Sequence, residues 1–320
     1  MDVDATLDRA VILFRDGRVQ LVELADPDRP VFLARHARPR DLKQWSGVKI
    51  LSGKILIFGE EGIEFLSPGQ GPIHSMDFGR DRIGGVTALV EVAEGLALAG
   101  PAGLRLLDTT TGQSEVLLDR PVLGLTLFRG RLVFSDGESL FVSTVPLLRE
   151  KRVQSQVRVG RDFDLHSLRP LEEGALAIGG GGVVFLEIPD HGEPRLAGRL
   201  LPEDVGGVAD AVEIQGRLFL VGERGLQLID TQNHRVADSA DIESMSRVAI
   251  MGRHLIVTGR HHLQVVDVSS CHRHSLYSRL QRSRAIRARI HRRFNQGSHD
   301  RSQHDQSRSG CALRRGDRAR

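Results

Sequence analysis

The chain has 320 residues and a formal net charge of +3, from 44 Lys and Arg against 41 Asp and Glu. No run approaches the ~20 consecutive apolar residues of a membrane-spanning helix, which argues against an integral membrane protein. Aromatic residues make up 4% of the chain, too few for a stacking platform that binds sugars or single-stranded nucleic acid.

A five-residue pattern of mostly apolar residues recurs seven times in the first 270 residues. The copies are Val19–Glu23, Ile63–Ser67, Leu104–Asp108, Leu140–Thr144, Val183–Glu187, Leu226–Asp230 and Leu263–Asp267. Successive copies start 44, 41, 36, 43, 43 and 37 residues apart. This spacing is typical of propeller blades and similar arrays.

A second short apolar run precedes each copy. These runs are Val11–Phe14, Lys54–Phe58, Leu96–Ala99, Arg131–Phe134, Ala175–Ile178, Arg217–Val221 and His254–Thr258. A tight turn, usually with glycine, separates the two runs, as in Gly100–Gly103. Because glycine adopts positive φ at little steric cost, each unit predicts a β-hairpin. Gly179–Gly182 lies between two such strands with no helix to follow, so we interpret it as a hairpin turn and not a phosphate loop.

Weaker runs on either side extend most units to four strands. Those upstream include Val122–Gly130, Val208–Gly216 and Arg247–Gly252, and those downstream include Val31–Ala34, Ser114–Leu118, Val153–Val159 and His234–Ser239. Four short antiparallel strands per ~40 residues form the blade of a β-propeller. Glycine interrupts nearly every stretch that could otherwise form a helix. The sequence therefore predicts an all-β fold, a β-propeller of seven blades over residues 1–270.

The best-defined unit resembles an LVIVD repeat. The resemblance rests on Ala209–Val212, on Gly216–Val221 and on Gly225–Thr231, where a strand of hydrophobic residues ends in Asp230. Residues 208–268 match best, residues 48–108 match moderately, and the other units match in their hairpins. The resemblance implies a propeller, and its motif is structural, so it implies no activity.

The two ends of the repeat predict incomplete closure of the ring. Residues 1–9 are few and charged, so we expect the first unit to begin at its second strand. The last unit stops after its third strand, at Val268. Propellers usually close by letting one terminus complete a blade begun by the other, so the missing strands are expected just after Val268.

Residues 271–320 form a tail whose composition differs from that of the body. The tail has 14 Arg and 3 Asp, a net charge of +11, against 30 basic and 38 acidic residues and a net charge of −8 in residues 1–270. One interpretation is a shifted reading frame, in which case another frame of the DNA near codon 270 encodes further β-type runs. The other is a genuine basic tail, disordered or partly helical, that binds anionic lipid, RNA or an acidic partner.

Few residues point to chemistry. No catalytic residue, cofactor or metal site is predicted, because Cys271 and Cys311 lack partners at zinc spacing and adjacent His261 and His262 point apart in a turn. The candidates at the channel mouth, where inner strands begin, are His166, Asp210 and Arg247, with Asp162 and Asp164 in a preceding loop. The polar residue that closes most copies, such as Asp108 or Asp230, is predicted to accept hydrogen bonds from the following turn.

These observations favour a non-enzymatic propeller that presents its loops and a blade edge to a protein partner. Three alternatives stay open: a metal-dependent propeller hydrolase or lactonase with a channel site, a truncated gene product with no independent function, and nucleic-acid binding through the tail. The start Met1–Asp4 lacks the positive and apolar segments of a signal peptide. The sequence therefore predicts a cytoplasmic location by default, or export if the N-terminus is incomplete.

Overall fold

The computed structural model describes residues 2–6, 8–14, 16–23, 26, 31–36, 45–60, 62–66, 85–241, 245–259 and 263–268. These residues form 26 strands in seven antiparallel sheets. The sheets follow one another along the chain, each a meander of consecutive strands, and they form the seven predicted blades. None of the helices in the described ranges is long and apolar enough to cross a membrane.

The strands of each blade run outward from the central channel, and the first is the inner strand. Blades 1 to 3 are β1 Asp2–Ala5, β2 Arg9–Leu13, β3 Val19–Glu23 and β4 Val31–His36; β5 Trp45–Leu51, β6 Lys54–Gly59 and β7 Gly62–Leu66; and β8 Ala88–Val92, β9 Gly95–Gly100, β10 Gly103–Leu107 and β11 Ser114–Leu118. Blades 4 and 5 are β12 Gly124–Phe128, β13 Arg131–Ser135, β14 Ser139–Ser143 and β15 Ser155–Arg158; and β16 Leu165–Leu171, β17 Gly174–Gly179, β18 Gly182–Glu187 and β19 Arg195–Leu200. Blades 6 and 7 are β20 Val208–Ile214, β21 Arg217–Gly222, β22 Gly225–Asp230 and β23 Arg235–Ala240; and β24 Met245–Met251, β25 His254–Gly259 and β26 Leu263–Asp267.

Within the described residues, three short helical segments lie in the connections between strands. The helix α1, Val145–Arg149, joins β14 to β15, the 3-10 helix η1, Arg161–Phe163, precedes β16, and the helix α2, Pro202–Val205, precedes β20. All three lie in or next to the fourth, fifth and sixth blades.

Glycine at the start of a third strand permits close packing of the outer strand. Gly103 and Gly182 have φ of 108° and 101°, and a Cβ on either would lie 2.1 Å from the carbonyl oxygen of Leu118 or Leu200 in the outer strand of its blade. Both the backbone angle and the available space therefore require glycine. Gly179 and Gly182 are paired across the β17–β18 hairpin, which confirms the hairpin interpretation of this four-glycine stretch.

Asp108 and Asp230 close third strands as the turn interpretation predicted. Asp108 accepts hydrogen bonds from the backbone N–H groups of Thr110 and Thr111 at 2.7 and 3.2 Å. Asp230 accepts them from Gln232 and Asn233 at 3.1 and 3.2 Å. The pKa of Asp108 is lowered chiefly by the Thr110 N–H and then by the hydroxyl and N–H of Thr111. The pKa of Asp230 is lowered chiefly by the side-chain amide of Asn233 and then by its backbone N–H.

The core of the molecule lies between blades. Each apolar cluster combines residues of two neighbouring sheets, for example Phe219, Val221 and Leu226 of blade 6 with Leu255 and Val257 of blade 7. Since a blade buries its two faces only against its neighbours, the ring is stable as a closed set of sheets and not as separate ones.

The first blade corrects one prediction from the sequence. We expected it to lack an inner strand because residues 1–9 are few and charged, but Asp2–Ala5 forms β1 and pairs with β2. The carboxylates of Asp2 and Asp4 are bonded to the neighbouring blade, so their charge does not exclude them from an inner position. Val3 of β1 also packs in the apolar cluster that joins blade 1 to Ala249 and Met251 of blade 7.

The described part of blade 7 has three strands, as the sequence predicted, and β26 ends one residue before Val268. The tail of residues 271–320 and the pair His261 and His262 lie outside the described residues. What the sequence indicates about them stays a prediction.

Candidate functional site

The inner strands surround a channel with a volume of about 520 Å³. The strand register defines equivalent positions on the seven inner strands. The first residue of each five-residue copy pairs with a residue of the second strand, and that residue pairs in turn with one residue of the inner strand. We call these seven inner-strand residues the first ring: Asp2, Gly47, Ala88, Gly124, Ser167, Asp210 and Arg247. We call second ring the residues two positions later: Asp4, Lys49, Val90, Thr126, Arg169, Val212 and Ala249.

Charge is distributed unevenly around these rings. Blades 5, 6, 7, 1 and 2 carry six charged side chains, namely Arg169, Asp210, Arg247, Asp2, Asp4 and Lys49. Blades 3 and 4 carry only small or uncharged residues at the same positions, Ala88 and Val90 in one and Gly124 and Thr126 in the other. The two rings therefore give the channel one charged wall and one wall without charge. The Glu91 carboxylate of blade 3 lines the channel one residue beyond the second ring.

Asp210 joins three blades. Its side chain is 1% exposed and its Oδ1 accepts a hydrogen bond from Nε of Arg169 in blade 5 at 2.6 Å. Its Oδ2 accepts the backbone N–H of Val248 in blade 7 at 3.1 Å. Burial opposes the charge of Arg169, but the carboxylate of Asp210, helped by Asp2 and Asp4, outweighs it and raises the pKa of Arg169. Arg169 and Asp210 are thus an ion pair that ties blade 5 to blade 6, while the second oxygen of Asp210 ties blade 6 to blade 7.

The same arrangement recurs two blades further on. Nε of Arg247 in blade 7 donates to Oδ1 of Asp2 in blade 1 at 3.1 Å. Oδ2 of Asp2 accepts the backbone N–H of Val48 in blade 2 at 2.8 Å. Asp2 and Asp210 occupy the same ring position, and each bonds the N–H of the equivalent residue in the next blade. The N-terminal strand therefore takes part in closing the ring through its carboxylate.

Asp4 continues this bonding in the second ring. Its Oδ2 accepts the backbone N–H of Ile50 in blade 2 at 2.7 Å, and its Oδ1 lies 3.4 Å from Nζ of Lys49. Every carboxylate oxygen of Asp2, Asp4 and Asp210 thus has a donor from the protein itself. These three carboxylates connect blades.

His166 lies at the mouth of the channel where the inner strands begin. Its Nε2 is 3.0 Å from the carbonyl oxygen of Val208 in blade 6, so this nitrogen carries the proton and donates it. The side chains of Asp162 and Asp164 are exposed in the preceding loop, and neither lines the channel. Their positions provide no carboxylate partner for the imidazole.

The structure thus brings the predicted candidates to one region without forming a reactive group from them. His166 and Arg247 line the channel, whereas Asp210 lies behind Arg169 and out of it. Within the described ranges, no three His, Cys, Asp or Glu side chains are placed to hold a metal ion. The sequence interpretation missed Arg169, Asp2, Asp4 and Lys49, because only the strand register shows which inner-strand residues share a level with Asp210.

A second carboxylate contact lies at the opposite mouth of the channel. The Glu213 carboxylate accepts the backbone N–H of Glu172 at 2.5 Å, and the Glu172 carboxylate accepts that of Gly216 at 3.1 Å. These reciprocal bonds join blades 5 and 6. Burial raises the pKa of Glu213, the Glu172 N–H lowers it, and the nearby charges of Glu172 and Glu173 raise it again, for a net increase.

Comparison with known proteins identifies the fold. No protein family and no curated protein matches this sequence. Among solved structures, the WD40 β-propeller domain of Doa1 is similar with a TM-score of 0.62 at 13% identity, covering 82% of this chain and 90% of that one. Sqt1 of Saccharomyces cerevisiae has a TM-score of 0.58 at 11% identity, covering 84% of this chain and 82% of that one.

A third similar structure is PorZ, a surface component of the type-IX secretion system of Porphyromonas gingivalis. Its TM-score is 0.60 at 16% identity, and the match covers 84% of this chain but 36% of PorZ. Likeness at these identities concerns the fold alone. The chain is a seven-bladed β-propeller.

Proposed function

We propose that this protein is a non-enzymatic interaction scaffold that holds a protein partner on one face of the propeller. The observation that carries the proposal is the bonding of Asp2, Asp4 and Asp210, whose carboxylate oxygens all accept hydrogen bonds from backbone N–H groups or cationic side chains of the channel. A propeller hydrolase needs carboxylates or imidazoles that converge on one ion with free coordination positions. Carboxylates that connect blades favour a rigid scaffold instead.

The face on which the inner strands begin, here called the top face, is the better candidate for the contact. In residues 85–241 its loops contain nine acidic residues, Asp119, Asp136, Glu138, Asp162, Asp164, Glu203, Asp204, Glu223 and Asp241, and three basic ones, Arg120, Arg161 and Arg224. The net charge of these loops is −6. All three arginines already bond within the protein, to Asp136, to Glu138 and to the carbonyls of Glu203 and Asp204.

The top face also presents apolar surface. Leu123 and Leu201 are 42% and 41% exposed and lie in the loops before β12 and β20. Exposed leucines among acidic side chains are suited to a partner segment that combines Lys or Arg with apolar side chains. Rigid blades hold these loops in fixed positions, which reduces the entropy lost on binding. The LVIVD-type repeat of residues 208–268 belongs to this proposal as a structural unit of the scaffold.

Charge neutralisation on each face tests the proposal. We expect capture from the source cells with the intact chain to recover a stoichiometric partner, and the variant D162N/D164N/E203Q/D241N to reduce its recovery at least tenfold. The matched control E94Q/E150Q/E173Q/E193Q neutralises four exposed carboxylates on the opposite face, and recovery should be unchanged. Asparagine suits position 164 because Asp164 has φ of 47°.

Two results would contradict the proposal. One is a captured partner whose recovery depends on the opposite face and not on the top face. The other is stoichiometric Ca²⁺ or Zn²⁺ in the purified protein together with ester or lactone hydrolysis, which would support the hydrolase alternative.

A further inference from the structure

In the two rings, the charged side chains offer more hydrogen-bond donors than acceptors. Four backbone N–H groups, those of Val48, Ile50, Ala211 and Val248, bond to the carboxylates of Asp2, Asp4 and Asp210. Each cation of the channel is consequently left with a single carboxylate oxygen. In the two rings every carboxylate oxygen therefore has a donor, whereas N–H donors of the cations remain without acceptors.

Arg169 has the largest unused capacity. Of its five N–H groups only that of Nε has an acceptor in the described part of the chain, and its side chain is 29% exposed along the channel. Nε and Nη1 of Arg247 donate its hydrogen bonds, and its Nη2 has no acceptor among the described residues. Nζ of Lys49 contacts one carboxylate oxygen at 3.4 Å, and the lysine side chain is 33% exposed.

These three donors come from blades 5, 7 and 2 and face a wall of different character. Blades 3 and 4 contribute Ala88, Val90, Leu125 and Leu127 to the lining of the channel. A volume of about 520 Å³ is within the range of pockets that hold small molecules. A guanidinium fork matches the two oxygens of a carboxylate, and the aliphatic wall matches a short hydrocarbon chain.

We propose that the channel binds a small aliphatic carboxylate, with its head group on the Nη nitrogens of Arg169 and its chain against blades 3 and 4. Arg247 and Lys49 add positive charge beside the head group. At the level of the two rings the arrangement disfavours an organic cation, because every carboxylate oxygen there has a donor in the protein. The carboxylates of Glu91 and Glu213 line the channel beyond the rings, towards the mouth opposite His166. The cationic residues of this site are not part of the proposed partner face, so either proposal can fail without the other.

Titration calorimetry of the full chain with butyrate and with n-butylamine tests the site. We expect saturable 1:1 binding of butyrate and none of butylamine, which has the same chain length and the opposite charge. The affinity should rise from acetate to hexanoate as the chain covers more of the apolar wall. Inorganic phosphate that binds as tightly as hexanoate would contradict the role of that wall.

The variant R169K keeps a positive charge beside Asp210 but removes the fork, and should weaken butyrate binding at least tenfold. The control R131K changes another arginine that joins two blades, through the carbonyls of Ile188 and Pro189, and it should bind as the wild type does. Thermal melting confirms that each variant is folded, and R247K replaces R169K if the latter fails to fold. Binding that is absent, equal for butylamine, or unchanged in the folded variant would overturn the proposal.

Discussion

Asp210 is buried, negatively charged and bonded to two other blades. Removal of a partner of a buried carboxylate leaves an uncompensated charge. Removal of the Asp210 carboxylate itself leaves the Arg169 guanidinium without its counter-charge and the Val248 N–H without its acceptor. Residues of this kind determine which blade follows which, because each bond joins a particular strand to a particular neighbour.

We expect Asp210→Ala to lower the free energy of unfolding by about 3–5 kcal/mol, the usual cost of breaking a buried ion pair. Chemical denaturation measures the change. The control Asp190→Ala removes an ion pair to Arg129 in which the Asp190 and Arg129 side chains are 68% and 53% exposed, and should cost about 1 kcal/mol or less. Equal losses in the two variants would show that the inter-blade bond contributes little.

Glu213 predicts a pH dependence of stability. Its pKa is raised above the ordinary value of 4.5, chiefly by burial and further by Glu172 and Glu173. Between the ordinary and the raised pKa the folded state binds more protons than the unfolded state, so stability falls as pH rises through that window.

The variant Glu213→Gln should flatten this part of the stability curve, since an amide does not titrate and its oxygen still accepts the Glu172 N–H. Denaturation midpoints measured at intervals from about pH 4 upward, with Glu94→Gln as the control that keeps the wild-type slope, would show the difference. A slope unaltered by Glu213→Gln would assign it to other carboxyls.

Some contacts between blades are possible only because the neighbouring strand has a glycine, which lacks a Cβ. His234, in the turn that follows β22, places its ring against Phe185 at 4.6 Å between centroids and over Gly198 of β19. A Cβ on Gly198 would lie 2.5 Å from two atoms of that ring. The glycine in the outer strand of blade 5 therefore permits the insertion of an imidazole from blade 6.

Gly198→Ala is expected to destabilise the protein by about 1–3 kcal/mol through overpacking, and Gly198→Ala with His234→Ala should recover part of the loss. Gly180→Ala is the matched control because a Cβ at that position would lie 3.4 Å from its nearest neighbour, an ordinary contact. Thermal and chemical denaturation give the coupling free energy. Additive losses in the double variant would rule out the contact as the cause.

Close contacts with side chains of other strands also explain why two positions of the first ring are glycine. A Cβ on Gly47 would overlap the ring of Phe58, and one on Gly124 would lie 2.9 Å from Cδ2 of Leu165 in the next blade. These two glycines make room for neighbouring side chains and not for a turn. Gly124, in blade 4, also contributes to the uncharged part of the first ring.

The ring as a whole closes through contacts between its first and last blades. β1 packs against β24, and Arg247 bonds Asp2 across 245 residues of sequence. All seven described sheets and the apolar clusters between them are formed by residues 2–268. We therefore propose residues 1–270 as an autonomous propeller domain.

A chain that ends at residue 270 is expected to unfold in a single cooperative transition near the melting temperature of the full chain. Circular dichroism during heating measures the transition. The control is a full-length variant in which the arginines of residues 271–320 are replaced by glutamine, since it removes the charge of the tail and keeps its length. Loss of cooperative unfolding in the shortened chain alone would show that the tail forms part of the fold.

The sequence by itself determined the architecture, because each hairpin is encoded locally. Alternating apolar residues and a glycine turn within ~15 residues are enough to define two paired strands, and seven regular copies define a ring of blades. The carboxylates Asp108 and Asp230 were predictable for the same reason, since their partners lie two and three residues away.

Only the tertiary structure decided the channel and the closure of the ring. Asp2, Arg169 and Asp210 lie far apart in sequence, and their relation depends on which positions of different inner strands come to the same level. The prediction for the charged start of the chain was wrong for this reason: charged side chains disfavour an inner strand only where they have no partners, and the sequence does not show those partners. Those partners, Arg247 and the backbone of Val48, become adjacent when the ring closes.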